Sequence, residues 1–75
     1  MNVMRGRTLE IYGAFEAVLR HGRDGVSIPL KPHETGSGKG YRNFVMKCRT
    51  AAKKLGCKPS IKQKGQTACI RLVRL

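Results

Sequence analysis

The stretch Tyr41-Arg-Asn-Phe-Val-Met-Lys-Cys-Arg-Thr-Ala-Ala-Lys-Lys-Leu55, followed by Gly56, decides the fold of this chain. Its apolar side chains recur at steps of three and four residues, which at about 100° per residue places them on one stripe of a helix. They are Tyr41, Phe44, Val45, Cys48, Ala51, Ala52 and Leu55. Gly56 stands where a left-handed C-terminal cap is expected. The stretch is therefore predicted to be an amphipathic helix over 41–55.

The polar face of this helix carries positive charges only. It carries no acidic residue and five cations, Arg42, Lys47, Arg49, Lys53 and Lys54. A solvated helix usually mixes both signs, because Glu–Lys pairs at helical spacing support it. The face therefore indicates a surface for polyphosphate. Arg42 and Asn43 stand at the helix start, where recognition helices meet base edges, so sequence-specific contact by them is a further hypothesis.

The overall charge points in the same direction. The chain has 75 residues, enough for one domain (1–75), with a net charge of +12 and an isoelectric point near 10.6. Residues 1–40 contain all four acids and have a net charge of +2, whereas residues 41–75 contain none and have a net charge of +10. This excess of positive charge is larger than solubility requires, and it predicts that residues 41–75 bind an acidic partner.

A second helix is predicted before the organising one. Thr8 is a plausible N-cap, an apolar face runs from Leu9 to Leu19, and Gly22 is the expected stop. Gly13 inside this helix is either a tolerated flaw or a site of close packing against the other helix. For residues 1–7 two predictions are kept, a basic arm or a short strand.

Three strands complete the pattern. Val26, Ile28 and Leu30 alternate with Ser27 and Pro29, and Pro29 predicts that this strand lies at a sheet edge. Residues 31–40 are predicted to be a loop. After Gly56 the period is two, and a turn centred on Lys64-Gly65 would pair Ile61 with Ala68 in a hairpin.

The order helix, strand, helix, strand, strand predicts an α+β fold, in which two helices cover one face of a three-stranded, or with residues 1–7 four-stranded, antiparallel-rich sheet. With helix 41–55 as recognition helix and the hairpin tip 62–65 as wing, it resembles a winged-helix domain. With a first strand at the N-terminus, the order is also similar to that of small archaeal chromatin proteins and of a translation-initiation-factor domain. Both resemblances imply nucleic-acid binding.

The segment 36–40, Gly-Ser-Gly-Lys-Gly, departs from the Walker pattern, which needs a Gly where His33 stands and a Ser or Thr after Lys39. A nucleotide-hydrolysing site is therefore not expected. A glycine-rich loop before a helix N-terminus still presents free N–H groups. One hypothesis is therefore that this loop, with Lys39 and Arg42, binds one backbone phosphate. The alternative is that the loop only connects two elements.

Neither an enzyme nor a cofactor or metal site is expected. The spacing of Cys48, Cys57 and Cys69 matches no zinc finger, and the odd count without a CxxC pair predicts a reducing cytoplasm. Cys48 and Cys57 should point inward and Cys69 outward. Glu10 and Glu16 lie six residues apart on a helix and cannot act side by side. The sequence has no secretory-type apolar run after Met1 and no stretch suited to a bilayer, so no membrane contact is expected.

The preferred hypothesis is a DNA-binding protein, transcriptional or architectural, whose helix face and hairpin straddle a duplex backbone. Alternatives are RNA binding, for instance on the ribosome, and a small phage-type interaction protein that inhibits or docks an acidic host protein. The oligomeric state is open and includes a homodimer. The predicted nucleic-acid contacts are Lys39, Arg42, Asn43, Arg49, Lys53, Lys54, Lys58, Lys62, Lys64 and Arg71.

Overall fold

A computed structural model of the chain describes residues 6–36 and 38–75. Two helices pack on one face of a three-stranded antiparallel sheet, which confirms the predicted α+β class. In chain order the elements are α1 (Gly6–Arg20), β1 (Gly25–Pro29), a 3-10 turn (Pro32–Glu34), α2 (Lys39–Lys54), β2 (Cys57–Lys64) and β3 (Thr67–Arg74). The 3-10 turn stands where a winged-helix domain would need its middle helix.

The strand order β1-β3-β2 makes β3 the central strand. Val26 of β1 lies opposite Ile70, and Ile28 lies opposite Ala68. Among the described residues β1 pairs only with β3, so Pro29 lies in an edge strand of this sheet, as predicted, where its missing N–H is tolerated.

The hairpin register differs from the predicted one. Ile61 lies opposite Ile70 instead of Ala68, and the turn is formed by Gly65 and Gln66, with Gly65 at φ +61°. The predicted pairing was therefore wrong by two residues along β3. An even shift keeps every side chain on its predicted face.

Helix α2 begins at Lys39, two residues before its predicted start, and carries the apolar stripe into the core. Phe44, Cys48, Ala51 and Ala52 are fully buried. The predicted glycine cap is confirmed, because Gly56 has φ +72°, the left-handed conformation that ends helices. The charged face of α2 is consequently turned away from the sheet.

Helix α1 extends from Gly6, so Thr8 is inside the helix and does not cap it. The predicted stop at Gly22 is confirmed: its φ is +74°, and the N–H of Arg23 donates to the carbonyl of Val18 at 2.9 Å, closing a Schellman motif. Of the proposed arm or strand at residues 1–7, Gly6 and Arg7 are helical, and residues 1–5 lie outside the described part of the chain.

The core lies between the helices and the sheet. Phe15 and Ile11 of α1 meet Phe44 and Cys48 of α2 above the apolar residues of β1 and β3. Burial raises the pKa of the Cys48 thiol to about 12, so this group stays neutral and packs as a small hydrophobe. Cys57 is buried as well, whereas Cys69 is half-buried on the other face of the sheet, as predicted.

A buried ion pair ties the start of α1 to the segment before α2. The guanidinium of Arg7 donates from Nε and Nη2 to the carboxylate of Glu34 at 3.1 and 2.9 Å. Nη2 also donates to the carbonyl of Pro29 at 2.7 Å, and the N–H of Lys31 donates to Glu34 Oε1 at 2.9 Å. The guanidinium lies 5.4 Å from the centre of the Phe44 ring. The loop predicted over 31–40 is thus held to α1, β1 and α2.

Gly40 fixes the entry into α2 by close contact with this turn. A Cβ added at Gly40 would overlap the carbonyl oxygen of His33. Only a residue without a side chain allows α2 to begin this close to the 3-10 turn. The position and direction of the first turn of α2 therefore depend on glycine at this point.

Gly13 has no such role. A Cβ added there would meet no atom within 4 Å, so the close-packing interpretation of this glycine is wrong and the tolerated-flaw interpretation remains. Since Ala is favoured over Gly in a helix interior, we expect Gly13→Ala to raise the free energy of unfolding by about 0.5–1 kcal/mol. Urea denaturation of both proteins measures this difference. A loss of stability in the variant would show that the helix is packed differently.

Candidate nucleic-acid interface

The outward side of α2 presents a continuous row of long side chains. We call this row the α2 stripe; it consists of Lys39, Arg42, Met46, Arg49 and Lys53. Steps of three and four residues align them on the side of the helix opposite Phe44 and Cys48. All five are exposed, Met46 to 63%. At 1.5 Å per residue the row is about 21 Å long.

In the described part of the chain, no acid neutralises the α2 stripe. The acids pair elsewhere: Glu34 with Arg7 at 2.9 Å, Glu16 with Arg20 at 3.5 Å, Asp24 with Arg71 at 3.7 Å, and Glu10 with Arg7 and Lys31 at 3.9 and 4.0 Å. Within residues 6–36 and 38–75, no stripe cation makes an ion pair. Arg49 and Lys53 instead lie one turn apart with the same charge, which costs helix stability. The stripe therefore has charge available for an external anion.

Two predicted contact residues of α2 lie beside the stripe. Asn43 and Lys54 are exposed, but each is rotated by about 60–100° from the line of the stripe. Arg42 and Asn43 are both in the first turns of the helix and accessible, so base contact by this pair stays a prediction.

The remaining predicted contacts lie on the uncovered face of the sheet. We call this surface the open sheet face; its charged residues are Lys58, Lys62 and Lys64 of β2 and Arg71 of β3, all exposed. The register places Arg71 opposite Ser60 and Cys69 opposite Lys62. Only Arg71 has an acidic partner in the described residues, Asp24 at the neighbouring turn.

The α2 stripe and the open sheet face lie on opposite sides of the domain. The helices cover the sheet face that contributes Ile70 and Leu72 to the core, and the alternate residues of the same strands face outward. The domain is 18 Å thick along its shortest axis. The cations of the helix face and those of the hairpin thus lie on different surfaces, and the expectation that helix face and hairpin straddle one backbone segment stays a prediction.

The glycine-rich segment divides between a turn and the helix. Gly36 has φ +85°, and Gly38 is the N-cap of α2 in an extended conformation with no side-chain cap. Lys39 belongs to the helix and joins the α2 stripe, and Ser37 lies outside the described residues. The phosphate grip by this segment stays a prediction.

Other site types find no support in the described residues. No group of three or more His, Cys, Asp or Glu side chains is close enough there to hold a metal ion. None of the helices formed by residues 6–36 and 38–75 has the length and apolar character that a bilayer crossing requires.

Sequence reasoning missed three residues of these surfaces. Met46 belongs to the α2 stripe, and its signal was the three-and-four spacing that begins at Lys39 instead of Tyr41. Ser60 was expected on the outward face of the hairpin but not as a contact, and Ser27 follows from strand alternation once β1 is placed beside β3. These residues add one apolar contact and two hydroxyl groups to the predicted cations.

Comparison with protein-family models, with curated protein sequences and with solved structures gave no match to this chain.

Proposed function

We propose that this chain binds nucleic acid, duplex DNA in preference to RNA, and acts in the cytoplasm as a transcriptional or architectural factor. The observation that carries the proposal is the α2 stripe: four exposed cations in one row, with no acid of the described residues beside them. Lys and Arg in such a row provide contacts to successive phosphates.

Binding is driven by the release of counterions from the phosphates. Each neutralised phosphate of B-DNA releases about 0.9 of a counterion, so affinity falls steeply as the salt concentration rises. The α2 stripe offers the guanidinium groups of Arg42 and Arg49 and the ammonium groups of Lys39 and Lys53. Four contacts of this kind give a log–log salt slope of about −3.6.

The side chains favour a duplex over a single strand. Single-strand binding uses exposed aromatic rings on which bases stack. Here Phe15 and Phe44 are fully buried, and Tyr12 and Tyr41 are half-buried. DNA is favoured over RNA because the major groove of B-DNA, about 12 Å wide, admits a helix, whereas that of A-form RNA is deep and narrow.

Fluorescence anisotropy with labelled duplex DNA, duplex RNA and single strands tests the proposal. We expect duplex DNA to bind most tightly, with a log–log salt slope between about −3 and −4, because the stripe supplies four cations. Random-sequence duplex should bind as well, since phosphate contacts carry no sequence information. A salt-independent affinity, or no binding to any of the three at low salt, would contradict the proposal.

A protein partner is the second candidate, and Met46 is the observation that favours it. An exposed Met between arginines is typical of protein interfaces, where both residue types are enriched. In that case the stripe docks an acidic protein surface, and a phage-type inhibitor of a host enzyme is one such protein. Retention of one acidic protein from lysate by the wild-type chain, together with no nucleic-acid binding, would support this candidate.

A further inference from the structure

The open sheet face has the composition of a second phosphate-binding surface. Lys58, Lys62 and Lys64 follow one another on the outward side of β2, and Ser60 stands between them. Residues two apart on a strand are separated by about 6.6 Å, so the row covers about 20 Å. In the part of the chain that the structure describes, no element packs on this face and no acid pairs with these lysines.

The centre of this face is a shallow depression of about 390 Å³. Small hydroxyl side chains and cations line it, namely Ser27, Ser60, Lys62 and Arg71, together with Cys69. Phosphate oxygens accept hydrogen bonds from all four of the polar side chains. Val26 and Ile70 also line the depression, but both pack into the core, so they do not provide the apolar centre that a protein–protein contact would use.

From these two surfaces we infer that the domain binds two nucleic-acid duplexes at once, one on the α2 stripe and one on the open sheet face, and so bridges them. The inference rests on the proposed function of the stripe. It follows from the placement of two basic surfaces on opposite sides of an 18 Å thick domain. The open sheet face is the weaker of the two, because Arg71 shares its charge with Asp24.

The thickness of the domain makes bridging electrostatically feasible. Two duplexes held on opposite faces are separated by at least 18 Å of protein. The Debye length at physiological ionic strength is about 8 Å, so their mutual repulsion is largely screened. Each duplex instead experiences the cations of the face that holds it.

Capture of a second duplex tests the inference. One duplex is immobilised on beads, and a second, fluorescent duplex of unrelated sequence is added with increasing amounts of the full chain. Wild type should retain the fluorescent duplex most strongly near one protein per two duplexes and release it in excess protein, because each duplex then occupies its own protein. Binding of single duplexes is measured in parallel by anisotropy.

Variants of the open sheet face separate bridging from binding. Lys58→Glu with Lys62→Glu should keep single-duplex affinity within about fivefold, the limit expected for this charge change when the α2 stripe is intact, and reduce capture at least tenfold further. The neutral pair Lys58→Gln with Lys62→Gln gives the same test with less change of charge. Melting curves confirm that both variants are folded.

The other outcomes of the capture experiment each contradict a different part of the inference. Single-duplex binding without capture by wild type overturns bridging and leaves the proposed function intact. Capture that persists in both lysine variants overturns the role of the open sheet face and assigns bridging to self-association, which sedimentation of the protein alone would show. Absence of any binding overturns the proposed function and bridging together.

Discussion

The double substitution Arg49→Glu with Lys53→Glu is expected to weaken binding of duplex DNA at least about 50-fold at about 0.1 M salt. At this concentration each phosphate contact contributes roughly eightfold to the affinity through counterion release, so the loss of two contacts gives about 60-fold. Repulsion between the new carboxylates and the phosphates adds to the loss. Anisotropy titration of wild type and variant on the same duplex measures the effect.

Two controls make this result specific to the α2 stripe. Arg23→Glu with Arg74→Glu changes the net charge equally, but both residues are exposed outside the stripe and outside the open sheet face. We expect this control variant to lose less than about fivefold in affinity for duplex DNA, because only long-range attraction is reduced. Circular dichroism should show both variants folded, because all four side chains are exposed. Equal losses in the two variants would mean that only the net charge matters and that the stripe is not a site.

Glu34→Gln is expected to lower the free energy of unfolding by about 3 kcal/mol, the cost of leaving a buried charge without its partner. Glu34 is only 1% exposed and accepts both hydrogen bonds from Arg7. A domain of this size has a total stability of only about 4–11 kcal/mol, so the loss is large. Chemical denaturation at neutral pH provides the measurement.

Glu10→Gln is the matched control. Glu10 is 57% exposed, and its contacts with Arg7 and Lys31 are long, at 3.9 and 4.0 Å. Such exposed pairs contribute little, so the change in stability should stay below about 0.5 kcal/mol. If Glu34→Gln were as mild as Glu10→Gln, the buried pair would not hold the 3-10 turn in place.

The same pair makes stability depend on pH. Burial by itself raises the pKa of Glu34, but the hydrogen bonds from the Lys31 N–H and the Arg7 guanidinium outweigh it and hold the pKa below its ordinary value. A lowered folded-state pKa stabilises the fold above the ordinary Glu value of about 4.3, and this stabilisation is lost as the pH falls through the folded-state pKa. Wild type should therefore lose more stability than Glu34→Gln over this acidic range.

Elements with periodic patterns were predictable from the sequence. The apolar stripe of α2 repeats over four turns, and Gly22 and Gly56 mark the C-terminal ends of α1 and α2. The predictions that both segments are helical and that the stripe is buried were therefore correct. Pro29 identified the edge strand because proline cannot donate to a ladder. The prediction of which hairpin residues share a face was correct, whereas the predicted register was wrong. Both results have the same cause, because a two-residue shift leaves a period-two pattern unchanged.

The features that sequence could not predict depend on single contacts between distant residues. Glu34 stands alone in a segment rich in Gly and Pro, and its partner Arg7 is 27 residues away, so no periodicity signals the pair. The start of α2 at Lys39 depends on Gly40 meeting His33, which is likewise a tertiary contact. The basic residues of the two surfaces were predictable because charge composition is visible in the sequence, whereas their contact with nucleic acid stays a prediction. Their division between two opposite faces required the strand order.

The strand order also sets a constraint on biosynthesis. β3 lies between β1 and β2, which do not pair with each other, although it follows both in the chain. While the ribosome adds residues 1–66, β1 and β2 have no hydrogen-bonding neighbour and the apolar face of α2 has no complete sheet beneath it. Synthesis of Thr67–Arg74 supplies the shared partner for both edge strands. The native sheet, and with it the closed core, therefore forms only after Thr67–Arg74 has been synthesised.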